Sequence, residues 1–123
     1  MSWLTEVYGT EKPIVGMVHL PALPGTPLYD SSAGMSKIID SARADLSGLA
    51  SGGVDGVLFC NENDRPSQLQ MGPEIVAAMT KAVAEATRAI SVPFGIDFLW
   101  DPIAAIAVAH ATGASFVREV FTG

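Results

Sequence analysis

Residues 92–121 read VPFGIDFLWDPIAAIAVAHATGASFVREVF, and they hold a complete strand–helix–strand unit. Val92 to Trp100 is short, apolar and aromatic, which predicts a strand covered on both faces. Asp101-Pro102 follows, a capping carboxylate and then proline at the first helical position. A helix is predicted from Pro102 to about Thr112, and Gly113 ends it because glycine accepts the left-handed turn after a helix. Ala114 to Phe121 is the next strand. Two strands joined by one helix are parallel, with a right-handed crossover.

The same unit repeats upstream. A first strand is predicted over Pro13-Ile14-Val15-Gly16-Met17-Val18-His19-Leu20. The Pro-rich segment 21–27 cannot be helical. A helix from about Met35 to Ala50 carries Met35, Ile38, Ile39, Ala42, Leu46 and Leu49 on one face, and Gly52-Gly53 closes it. The second strand is Val54 to Cys60, followed by the polar loop 61–68. Pro73 opens a further helix that runs to about Ile90, with Ile75, Val76, Met79, Ala82, Val83, Ala86 and Ile90 as its buried stripe. The order is βαβαβαβ, preceded by an N-terminal extension, 1–12.

The chain has 123 residues, a formal net charge of −6, a hydrophobic fraction of 49% and one cysteine, Cys60. That cysteine count excludes an internal disulfide framework and a cysteine-based zinc cluster. The acidic balance argues against nucleic acid, which demands basic stripes, and against a polybasic membrane anchor. The stretch 1–12 mixes Glu6, Glu11 and Lys12 and is not a signal peptide, and no run of about twenty apolar residues spans a bilayer. A cytoplasmic α/β protein with no integral membrane segment is expected.

Two architectures compete. A dinucleotide-binding open sheet would carry a Gly-x-Gly-x-x-Gly turn after its first strand, and His19-Leu20-Pro21 stands there instead. A (β/α)₈ TIM barrel needs about 250 residues. Four strands and three helices make the N-terminal half of such a barrel, a βαβαβαβ half-barrel over 13–123. The helix Pro102–Thr112 is apolar nearly all round, as expected of a helix with neighbours on more than one side.

Several runs together resemble the BtpA family: residues 12–21, 52–57, Pro93-Phe94-Gly95, Leu99-Trp100-Asp101-Pro102 and 111–119. The Asn61-Glu62 loop and the segment 118–123 look more like its bacterial SgcQ-type branch. The resemblance implies a TIM barrel of about twice this length, of which this chain would be a fragment. One branch of that family is associated with photosystem I biogenesis; the other sits among sugar-uptake and sugar-phosphate functions, sometimes with a nucleotide-hydrolysing label. No Gly-x-x-x-x-Gly-Lys phosphate loop supports that label here. The family usually carries Asn where this sequence has Asp97, a change that adds a charge.

Barrel chemistry concentrates at strand C-termini, which selects the candidate residues. His19 ends the first strand and reads equally as an acid, base or ligand and as a tether for the Pro-rich loop. Asp97 interrupts an apolar strand, and a buried carboxylate needs a partner; Arg118 on the neighbouring strand is the expected one. Arg118 and Glu119 are adjacent and point to opposite faces, so one suits an anion and the other a base. The catalytic candidates are therefore His19, Asp97 and Glu119, and the substrate-binding candidates Asn61, Glu62, Trp100 and Arg118. Asn61, Glu62 and Asp64, with Asp97, could hold a Mg²⁺-like ion, although a solvated loop explains them as well. Asp101 reads first as a helix cap, His110 as a helix-end charge and Cys60 as buried and inert. No cofactor is named by these residues.

Two functions follow. One is an enzyme acting on a small anionic or hydroxylated metabolite of the sugar-phosphate type, without catalysis in a half-length chain. The other is a non-catalytic assembly or stability factor. Open strand edges also predict a homo-oligomer, or pairing with a missing C-terminal half-barrel.

Overall fold

A computed structural model of the chain describes residues 2–61, 70–98 and 101–118. Its elements are α1 (Trp3–Tyr8), β1 (Val15–His19), α2 (Gly34–Ser51), β2 (Gly56–Cys60), α3 (Pro73–Ala86), β3 (Phe94–Asp97), α4 (Pro102–Thr112) and β4 (Phe116–Val117). All strand pairs are parallel, and the sheet order is β1-β2-β3-β4. A doubly wound sheet reverses its order at a switch point; this sheet never does, which is how a partial (β/α)₈ barrel is built.

Strand alternation sorts the side chains. Val18, Val57, Phe59, Ile96 and Phe98 join Ile38 and Leu46 of α2, Met79 of α3 and Val108 of α4 in one buried cluster. Each large side chain buried there contributes about 1.5–3 kcal/mol. All three long helices therefore cover a single face of the sheet. Gly16 lets α2 settle close, since a Cβ there would lie 2.6 Å from Leu49 Cδ2.

The opposite face carries Val15, Met17, Leu58 and Phe116. The short helix α1, absent from the sequence expectation, lies across the N-terminal ends of the strands. Ser2 caps it by accepting from Thr5 N at 3.4 Å, and Gly9 closes it at φ 77°. Tyr8 meets Phe116 edge-on at 5.6 Å between ring centroids, and burial pushes its phenol above the usual value of 10.0. A cavity of about 310 Å³ remains between α1 and this face, bordered by Arg118 at its upper end.

Several element boundaries differ from expectation, and β1 and β4 also start two residues later, at Val15 and Phe116. The helix expected to reach Ile90 ends at Ala86 and finishes as a 3₁₀ turn, Thr87–Ala89, where the Thr87 hydroxyl donates to the Val83 carbonyl at 2.8 Å. The second strand starts at Gly56 rather than Val54. Asp55 is occupied with Ile14, whose N–H donates to Asp55 Oδ2 at 2.8 Å and whose carbonyl accepts from Asp55 N at 2.8 Å. The third strand begins at Phe94 rather than Val92. Leu99, Trp100 and the segment 119–123 lie outside the described residues.

Candidate functional site

Register places the site. His19 pairs with Cys60, and Cys60 pairs with Asp97. Gly95 pairs with Phe116, and Arg118 N donates to the Ile96 carbonyl at 3.0 Å, continuing the ladder. One row of side chains thus crosses the C-terminal ends of all four strands: His19, Cys60, Asp97, Arg118. Below it lies an apolar row, Met17, Leu58, Gly95 and Phe116. Gly95 is required there, because a Cβ would collide with the Phe116 ring.

Asp97 is the buried member of an ion pair, its side chain 2% exposed against 63% for Arg118. Arg118 Nη2 and Nε donate to the same oxygen, Oδ2, at 2.8 and 3.2 Å. The other oxygen, Oδ1, is buried and has no hydrogen-bond partner among the described residues. A buried unsatisfied acceptor costs about 1–3 kcal/mol, so this carboxylate retains unused capacity for a donor.

His19 is exposed at the far end of the row. Asn61, a substrate-binding candidate that a solvated loop would also have explained, is buried directly after β2. Glu62, Trp100 and Glu119, the other expected site residues, lie outside the described residues, as does Asp64. Among the described residues, no three His, Cys, Asp or Glu side chains gather as a metal site. His110 sits exposed in the last turn of α4.

Asp101 is a cap and more. Its Oδ1 accepts from Ala104 N at 3.0 Å, while its Oδ2 accepts from Met71 N at 2.7 Å. One buried carboxylate therefore fixes the start of α4 and the approach to α3. The Pro-rich loop after β1 folds inward, with Leu20 and Leu23 fully buried and the Thr26 hydroxyl donating to the Leu23 carbonyl at 2.7 Å. Asp30 closes that loop. Hydrogen bonds from Ser32 and Ala33 hold its carboxyl below the ordinary 3.8.

The BtpA family model matches residues 10–123. The chain belongs to the BtpA family. It is similar to the sgc region protein SgcQ of Escherichia coli (strain K12), at 50% identity over the whole of this chain and 46% of that protein. It is 40% identical to an uncharacterized protein of Archaeoglobus fulgidus, over 88% of this chain and 43% of that one. It is also 35% identical to the photosystem I biogenesis protein BtpA of Synechocystis sp., over 98% of this chain and 42% of the relative. The chain spans less than half the length of these relatives. No solved structure matches it significantly. Among the described residues of this BtpA-family chain, no helix is long and apolar enough to cross a membrane.

Sequence reasoning did not place Cys60 in the site row. The signal was available in the two-residue step from Leu58, which puts Cys60 on the face of His19 once β1 and β2 are aligned. The dual role of Asp101 had no local signal, because Met71 is thirty positions away.

Proposed function

We propose that this chain supplies the first four strands of a TIM barrel whose mouth binds a small anionic, hydroxylated metabolite of the sugar-phosphate class. The observation that carries this reading is the Asp97–Arg118 pair at the strand C-termini, with a cation open to solvent and an unused buried acceptor beneath it. Arg118 receives the anionic group, Asp97 and Asn61 the hydroxylated part, and His19 stands at the opposite end as an acid or base. The protein works in the cytoplasm. The chain closes its ring with four further strands, from a second copy or from a C-terminal half-barrel. The part-covered inner face and, among the described residues, the unpaired outer edges of β1 and β4 support that closure. By itself this chain binds without turnover, because phosphate grips in TIM barrels commonly come from the last two strand–helix loops.

Titration of the chain with ribose 5-phosphate, followed by amide shifts in NMR, is the test. Shifts centred on His19, Asp97 and Arg118 are expected. Saturable binding that leaves these three unmoved would overturn the assignment.

A second reading has one observation in its favour. Helix α4 leaves Ile103 80% and Ile106 57% exposed, an apolar stripe of the kind that contacts another protein. Together with the similarity to a photosystem I biogenesis protein, it supports a non-catalytic assembly factor. Partner binding unaffected by alanine at His19, Asp97 and Arg118 would favour it.

A further inference from the structure

Arginine and carboxylate usually meet fork to fork, with each oxygen taking one N–H. Here both donors converge on Oδ2, leaving Oδ1 buried and without a partner among the described residues. A carboxylate oxygen accepts only, so whatever completes it must donate. An ammonium group is disfavoured, because the Arg118 guanidinium stands against the same carboxylate. A neutral donor remains, and a hydroxyl is the small group that fits. Two of the five guanidinium N–H groups are spent on Oδ2, and three remain on a side chain that is mostly exposed. They require an acceptor and favour an anion.

We infer that the Asp97–Arg118 pair is a composite subsite for a hydroxyl group and the oxyanion carried beside it, as in a 2-hydroxy carboxylate or a 2-hydroxyalkyl phosphate. The inference rests on the proposed anion-binding mouth and adds which atom takes which group. The hydroxyl donates to Asp97 Oδ1, and the oxyanion accepts from the remaining N–H groups of Arg118. Because both partners belong to one ion pair, the two ligand groups lie on neighbouring carbons. Because Oδ1 is buried, the Asp97 carboxylate turns about its soft terminal torsion to bring that oxygen to the ligand hydroxyl. His19 stands two strands away, about 10 Å at the usual strand spacing. It therefore meets the far end of a longer ligand, not the hydroxyl bound at Asp97.

Matched probes separate the two groups. The chain is titrated with acetate and glycolate, then with ethyl phosphate and 2-hydroxyethyl phosphate, following the Arg118 Nε–H resonance. The hydroxylated member of at least one pair is expected to bind about tenfold tighter, as a hydrogen bond to a charged acceptor allows. The pair that shows the preference identifies the oxyanion. Asp97→Asn, which keeps the shape, is expected to reduce that preference severalfold while anion binding at Arg118 persists. Equal binding of both members in both pairs overturns the subsite and leaves the anion-binding mouth standing. A preference unchanged in Asp97→Asn also overturns it. If none of the four probes moves the resonance, both the subsite and the proposed mouth fall.

Discussion

On the helix side of the sheet, Val18, Phe59, Ile96 and Phe98 are completely buried beneath three helices. On the other side, Met17 and Phe116 are only part-covered, and a six-residue helix shields just the lower end. The first face is a finished protein core. The second is apolar below and polar at the rim, a layered arrangement suited to an interior shared with further strands. The contrast teaches that stability and function are divided between faces. Stability comes from the covered one, and the proposed chemistry lies in the top row of the other.

The largest expected effect tests the covered face. Phe59→Ala should cost about 3–5 kcal/mol in chemical denaturation, a buried aromatic's transfer energy plus the cavity it leaves. A loss near 1 kcal/mol would mean that the two faces do not differ as described. Next is the joint between mouth and core. Asp101→Ala should cost about 2–4 kcal/mol, combining the lost cap of α4 with an unsatisfied N–H at Met71. Asp101→Asn should recover part of that loss, because its amide oxygen still caps Ala104. The smallest effect on stability belongs to the part-covered face. Met17→Lys should change the unfolding free energy by about 1 kcal/mol or less, since the lysine stem can lie along the sheet with its charge in water. The same substitution should abolish ring closure between two copies. Light scattering at micromolar concentration is expected to show a dimer for the unaltered chain and a monomer for the variant. A monomer for both would remove self-association from the account.

Much of this was legible in the sequence because punctuation is local. Asp101-Pro102 and Gly113 bracket α4 at its observed bounds, and alternation along residues 94–98 puts Asp97 opposite the large apolar side chains. The Asp97–Arg118 pair also followed from strand adjacency. Other features depend on distant partners. Helix α1 is too short for a periodic pattern, and only Ser2 and Gly9 mark its ends. The bond from Met71 to Asp101 arises when segments thirty positions apart meet, and the burial of Asn61 carries no local pattern. The single-oxygen geometry of Arg118 on Asp97 depends on side-chain placement that no spacing encodes.

The strictly sequential strand order also governs the timing of folding. Val15 aligns with Gly56, Val57 with Phe94 and Gly95 with Phe116, so every strand pairs with the one synthesised immediately before it. Within these four strands no pairing waits for a segment made much later, and the loop-closure entropy of each step stays moderate. Such an order allows the sheet to grow in one direction as the polypeptide leaves the ribosome, each strand–helix pair adding to an edge already made.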